Sequence, residues 1–165
     1  MCGRYTLRNS KAVKDKHLLN IDVSYNIAPS HEVLTLTAEP TLMRWSYNPT
    51  WAKTPMNLIN ARSETLNVKP SFKMAKRCLI VADGWFEWLR TDNKKQPYFF
   101  HMNDSLFNFA GIYTEYNGEM GCAIITKDAI QKLSTVHHRM PIIIADNEAD
   151  SWLSGEDVFD SKSSE

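Results

Sequence analysis

Apolar and polar residues alternate over short stretches along most of this chain, and helical periodicity is the exception. Strand-like runs stand at GRYTL (3–7), EVLTLT (32–37), TLMRWSY (41–47), RCLIVAD (77–83), WFEWLR (85–90), QPYFFHM (96–102), FNFAGIYTEY (107–116), EMGCAIIT (119–126) and MPIIIA (140–145). Asn117-Gly118 separates two of them and is the strongest hairpin signal, a type I′ turn. TDNKK (91–95) reads as a second, longer connection. Helical patterns are fewer: SKAVKDKHLL (10–19) with Ser10 as N-cap, a short segment in SFKMAK (71–76), KDAIQKLS (127–134), and NEADSWL (147–153) with an acidic first turn. The spacing predicts an α+β domain, a mainly antiparallel sheet or barrel with peripheral helices.

At 165 residues and 43% hydrophobic content, the chain can bury a real core without staples. One domain over residues 1–153 is expected, followed by a flexible tail, 154–165, with little to bury. The first residues lack the basic and apolar regions of a secretory signal, and no apolar run approaches the roughly 20 residues of a membrane span. A soluble, cytoplasmic chain with no membrane partner is the expectation, and a monomer the simplest assembly. Cys2, Cys78 and Cys122 form an odd set without C-x-x-C spacing, against a disulfide framework or zinc ribbon. Net charge is zero, yet residues 1–100 hold 15 Lys+Arg against 8 Asp+Glu, and residues 101–165 hold 4 against 11. A balanced total can hide a basic face, or the two halves can interleave and cancel.

Polar residues that interrupt apolar strands are candidates for chemistry. Glu87 stands between aromatics in CLIVADGWFEWLR, where burial raises a carboxyl's pKa into the range useful for acid–base work; the alternatives are the solvent face of an edge strand or a core arginine partner. Asp83-Gly84 just before it reads as a turn. In NLINARSET, Asn60, Arg62 and Glu64 alternate, so on a strand they share one face, either a solvated edge or an anion-reading surface. His137 and His138 precede the strand at 140–145, and in an extended segment only one of them faces inward, in a structural or a catalytic role. No second His or carboxylate stands at ligand spacing on a helix, so metal binding is the weakest option.

The order of these segments carries more than any one of them. MCGRY at the start, YNIAP (25–29), WSYNPTW (45–51), NARSET (60–65), RCLIVADGWFEW (77–88), KKQPYFF (94–100), FAGIYTE (109–115), AIIT (123–126) and HHRMPIII (137–144) together closely resemble the SRAP family, the SOS response-associated peptidase or abasic-site processing proteins, from residue 1 to about residue 153. The resemblance implies a DNA-damage role and a partner that is single-stranded DNA, or a junction of single and double strand, containing an abasic site. It implies no cofactor, and in a bacterium a nucleoid-associated protein or in a eukaryote a nuclear one. By position it implies Cys2, Asn60, Glu87 and His137 as catalytic residues, with His138 at a variable position, and Arg4, Arg62, Trp51 and Thr126 as DNA contacts. WSYNPTW departs from the family's commoner WGLIPxW. The chain also stops soon after Trp152-Leu153, where family members continue, so a barrel strand or its cover is expected to be missing.

The implied chemistry accounts for the residue types. Once Met1 is trimmed, Cys2 offers an α-amine and a thiol on adjacent carbons. An α-amine with a pKa of about 7.7–8.0 is substantially unprotonated at neutral pH, unlike a lysine near 10.4. The amine can attack the open-chain aldehyde of an abasic site to give a Schiff base. Addition of the thiol to the imine then closes a thiazolidine, an intramolecular step of high effective concentration. Glu87 would move protons, Asn60 would hold the amine or sugar oxygens, and His137 would favour strand cleavage or reversal. Two rival classes remain: an N-terminal-cysteine hydrolase, either a peptidase or a glutamine amidotransferase (the chain contains NGE at 117–119), and a non-catalytic DNA-binding module.

Overall fold

Strand pairing, more than helix packing, organises the molecule. The computed structural model describes residues 2–158. In chain order its elements are β1 (Tyr5–Leu7), α1 (Ser10–His17), β2 (Ser24–Ile27), β3 (Glu32–Leu36), β4 (Pro40–Arg44), β5 (Asn60–Arg62), β6 (Lys76–Ala82), β7 (Gly84–Thr91), β8 (Lys94–Phe100), β9 (Phe107–Tyr116), β10 (Glu119–Asp128), α2 (Gln131–Ser134), β11 (Arg139–Pro141), β12 (Ile143–Ile144) and α3 (Ala149–Ser154), with 3₁₀ turns at Ser63–Thr65, Pro70–Phe72 and Asp146–Glu148. Among the described residues no helix is long and apolar enough to cross a membrane.

Five strands close on themselves in the order β4-β3-β6-β9-β10, because β10 pairs with β9 along one edge and with β4, in parallel, along the other. The barrel thus closes with the strands present, so of the expected loss of a barrel strand or its cover, the strand is not missing. Closure depends on Gly121, which lies opposite Arg44: a Cβ there would sit 2.1 Å from the Ser46 carbonyl oxygen. A separate four-stranded sheet, β2-β1-β7-β8, packs beside the barrel. Barrel strands bury both faces. Along β10, Cys122 and Ile124 enter one core, with Tyr5, Trp45, Trp85 and Phe109, while Ala123 and Ile125 enter a second, with Tyr47, Phe72 and Trp152. That is why AIIT and CLIVA read as unbroken apolar runs. The three cysteines are free and buried.

Several local expectations are corrected by tertiary contacts. The N-cap of α1 is Asn9, whose side chain accepts from Ala12 N–H at 3.0 Å, and the helix stops at His17. The segment 127–134 is not one helix: β10 runs on to Asp128 because Lys127 and Asp128 pair with Met140 and Arg139 of β11, leaving one turn for α2. TDNKK is no long connection, since Thr91 pairs with Lys94 across a two-residue turn. Asn117-Gly118 does form its tight turn, with φ of 50° and 81° as type I′ requires. The start of the expected flexible tail is fixed: Gly155 and Glu156 cap α3, and Arg77 donates to Glu156 O and the Asp157 carboxylate, both at 2.6 Å. Residues 159–165 lie outside the described residues.

Candidate active site

β7 carries Glu87 and sits between β1 and β8, so it is not an edge strand. Its pairing with β1 aligns Tyr5 with Trp85 and Thr6 with Gly84, and Phe86 N–H donates to Arg4 O at 3.0 Å. Continued past Arg4, that register brings Gly3 opposite Glu87, next to Cys2, whose thiol the Glu87 charge reaches. Tyr5 anchors the strand: its ring meets Trp45 and Phe109 edge-on at 5.2 and 5.6 Å, contacts worth about 0.5–1.5 kcal/mol each beyond burial.

Asn60 arrives from another direction. β5 is a three-residue strand held parallel to β10, with Asn60 opposite Ile124, and Asn60 Nδ2 donates to Cys2 O at 3.2 Å. The WSYNPTW loop secures this strand from behind. Trp45 is buried and its indole N–H donates to Ile59 O at 3.0 Å, while Tyr47 pairs with Leu58 and donates its hydroxyl to Ser71 O. Trp45 and Tyr47 of this segment therefore brace β5 from within, while Trp51 at its end is exposed. Glu64 does not share the strand face with Asn60 and Arg62. The strand ends at Arg62, and Glu64, on the following 3₁₀ turn, accepts from Arg139 at 2.7 and 3.0 Å.

Arg139, 4% exposed, also binds Asp128 at 2.6 Å and Thr126 O at 2.8 Å. It locks the turn that presents His137, and its N–H donates to His137 Nδ1 at 3.0 Å. Burial lowers the His137 pKa, helped by the amino-terminal charge and by His138, so the ring is neutral at pH 7 with its proton on Nε2. The two histidines do not face opposite ways. They sit in a bend before β11, where strand alternation does not apply, and their rings stack at 4.5 Å.

Glu87, His137 and His138 line one open cleft of about 810 Å³ together with Trp88 and the cations Arg62, Arg90 and Lys95. Lys95 Nζ lies 5.1 Å over the Trp88 ring. Of the two charge readings, the basic face is the one the fold builds here. Glu87 itself is 3% exposed, and burial pushes its pKa above the ordinary carboxyl value, opposed by the amino-terminal charge. Cys2 is fully buried behind the cleft. Burial, then the Glu87 charge, pushes its thiol far above the usual range, so it is a thiol and not a thiolate at neutral pH. Its Sγ donates weakly to Arg4 O at 4.0 Å, not to His137.

The remaining expected contacts divide. Arg62 is exposed on the cleft. Arg4 is half-buried, its guanidinium folded onto Gly3 O at 2.6 Å. Trp51 is 57% exposed but stands outside the cleft wall, its N–H on Pro70 O. Thr126 is fully buried, with its hydroxyl between Ala61 O and Arg139, so it is a structural prop and not a surface contact. Trp88, Arg90 and Lys95 carry no sequence signal of their own for the site. Arg90 and Lys95 are paired residues of the β7–β8 hairpin, and a two-residue turn at Asp92-Asn93 is the signal that would place them together. Among the described residues no group of three or more His, Cys, Asp or Glu could hold a metal ion.

Known proteins share this chain's sequence motifs and fold. The family model for SOS response associated peptidase (SRAP) matches residues 1–164. "Abasic site processing protein YoqW" of Bacillus subtilis is 38% identical over 180 aligned positions, covering 93% of this chain and 80% of that protein. "Abasic site processing protein YedK" of Escherichia coli is 34% identical, covering 78% and 64%. Among solved structures, a Bacteroides thetaiotaomicron protein superposes with a TM-score of 0.76 at 26% identity, covering 92% of this chain and 81% of that one. A phage-related protein of Bordetella bronchiseptica gives 0.74 at 30%, with the same coverage. With a match that spans both sheets and every residue of the cleft, this chain belongs to the SRAP family.

Proposed function

We propose that this protein processes abasic sites in single-stranded DNA, and that its nucleophile is the first residue left when Met1 is removed. The observation that carries the reading is the convergence on one residue: Asn60 holds the Cys2 main chain at 3.2 Å, and the Glu87 carboxyl lies close enough for its charge to raise the Cys2 thiol. A site built to use a side-chain thiolate would lower that pKa; this one raises it, which favours the amine as first nucleophile. The amine nitrogen bonds to the aldehyde carbon and water leaves, forming the imine. The S–H then adds across C=N, sulfur to carbon and proton to nitrogen, closing the thiazolidine. Glu87, with its elevated pKa, gives a proton to the departing oxygen and recovers one from nitrogen as the imine forms, then relays the thiol proton to nitrogen as the ring closes. Neutral His137, whose Nδ1 is taken by Arg139 N–H, offers its Nε2–H as proton donor at the sugar, for strand cleavage or for reversal.

Arg62, Arg90 and Lys95 would neutralise phosphates along the cleft. A buried nucleophile also requires the damaged nucleotide to leave the stack, which costs least in a single strand. The relatives' printed names point the same way. The peptidase alternative lacks a Cys2–His137 contact, and the NGE of the amidotransferase alternative sits at the tip of the β9–β10 hairpin. The test is to incubate purified protein, its N-terminus checked by intact mass, with single-stranded DNA carrying one abasic site. A denaturation-resistant adduct should form, and be lost in Cys2→Ala and in a form that retains Met1. An adduct undiminished in either would sink the mechanism.

A further inference from the structure

The strand that delivers Cys2 is three residues long, and it is held by a carboxylate that the chemistry above does not use. Asp83 is fully buried at the junction of β6 and β7. Its Oδ1 accepts from Thr6 Oγ1 at 2.6 Å and Arg8 Nε at 3.2 Å; its Oδ2 accepts from the backbone N–H groups of Arg8 and Asn9, at 2.5 and 2.8 Å. Its own N–H donates to Thr6 O at 3.0 Å. Every one of these partners lies in residues 6–9, directly after the segment that carries the nucleophile, and Glu87 follows Asp83 on β7.

We infer that Asp83 is a positioning residue, which fixes the register of β1 against β7 and so holds the Cys2 amine at Glu87 and Asn60; this rests on the function proposed above. Chain ends fray unless tied down, and a one-residue slip would turn every β1 side chain to the other face. Two ladder pairs to β7, and two to β2 across an irregular register, are a weak defence against such a slip. A buried carboxylate taking two backbone N–H groups is a strong one, since its bonds are charge-assisted and leaving those donors unmet is costly.

Four variants test it: Asp83→Ala, Asp83→Asn, Thr6→Val and Asp104→Ala. Asparagine can keep both backbone bonds on its oxygen, while Thr6 turns its hydroxyl to Gly84 O, 3.4 Å away, and the Arg8 guanidinium gives up its bond to position 83 and keeps the one to Asp104. Asp104 binds Arg8 from an exposed position and serves as control. Three quantities are read: amide exchange over residues 3–9, the single-turnover cross-linking rate on saturating abasic single strand, and Kd for the same strand without the lesion. Asp83→Ala should speed exchange and slow cross-linking about 10- to 100-fold, the scale of a 1 Å misplacement, with Kd unchanged. Asp83→Asn should recover most of the rate, and Asp104→Ala should match the wild type. If Asp83→Ala does not fold, Thr6→Val carries the test, with a rate lowered about fivefold, the kinetic equivalent of one hydrogen bond, at full amplitude. Unchanged exchange overturns the proposal, as does a smaller amplitude at an unchanged rate, which is what partial unfolding gives. A wild type that forms no adduct overturns the function and, with it, the positioning role; the exchange data tell the two failures apart.

Discussion

Replacing Glu87 with Gln separates charge from shape at this site. The side chain is 3% exposed, and the amide has nearly the same volume, so packing survives and the ionisable proton is lost. Losing a positioned acid–base group costs roughly 10²–10⁴ in rate, or about 3–5 kcal/mol of barrier at 1.36 kcal/mol per tenfold. Stability should move the other way. Burial holds the folded Glu87 pKa above the unfolded value of about 4.3, with the amino-terminal charge opposing. Between those two values the folded chain binds the extra proton, so this group's contribution is present at low pH and is lost as pH rises through the folded pKa. Glutamine removes that loss. Glu87→Gln should therefore melt above the wild type at alkaline pH, and the advantage should vanish below about pH 4. Single-turnover cross-linking and thermal melts across the same pH series measure both effects. A variant that cross-links at the wild-type rate, or whose melting advantage persists undiminished into acid, refutes the reasoning.

Three further outcomes follow from the geometry of the cleft and its supports. Asn60→Ala removes the bond to Cys2 O and should slow cross-linking about fivefold or more, with single-strand affinity intact by fluorescence anisotropy. Neutralising Arg62, Arg90 or Lys95 should weaken binding and reduce the slope of log K against log salt by about 0.7 for each phosphate that no longer meets a cation; a slope that does not move would place the DNA elsewhere. Glu64 is held below the ordinary carboxylate range, first by its hydrogen bond from Arg139, so its contribution is present above the unfolded pKa and is lost as pH falls through the folded one. Glu64→Gln should flatten the acid side of a urea-midpoint profile.

What the sequence makes legible is what local chemistry controls. Asn117-Gly118 announces its own turn, and Glu87 among aromatics announces a buried carboxyl, because each signal is contained within a few residues. The four positions proposed as catalytic come from motif order, not from periodicity, since no local pattern says that residue 2, residue 60 and residue 87 meet. The departures share one cause. Residues 127 and 128 are helix-like by composition but are claimed by pairing to residues 139 and 140, and Thr126 ends a motif beside the cleft yet turns inward to Arg139. Asp83 reads as part of a turn because its partners stand more than 70 residues earlier in the chain. Separation along the chain, and not obscurity of residue type, sets the limit.

The complete burial of Cys2 also fixes an order of events during synthesis. An aminopeptidase must reach the bond before Cys2, and in the folded protein that residue is shielded. The shield depends on partners made late: β5, which carries Asn60, is held by residues 124–126 of β10. At 5–20 residues per second, the ribosome needs roughly 10 s to reach those residues. During that interval the N-terminus is free and the core cannot close around it. Methionine removal on the proposed function is thus a co-translational event with a deadline, and overexpression that outruns the aminopeptidase should leave well-folded molecules that never acquire their nucleophile.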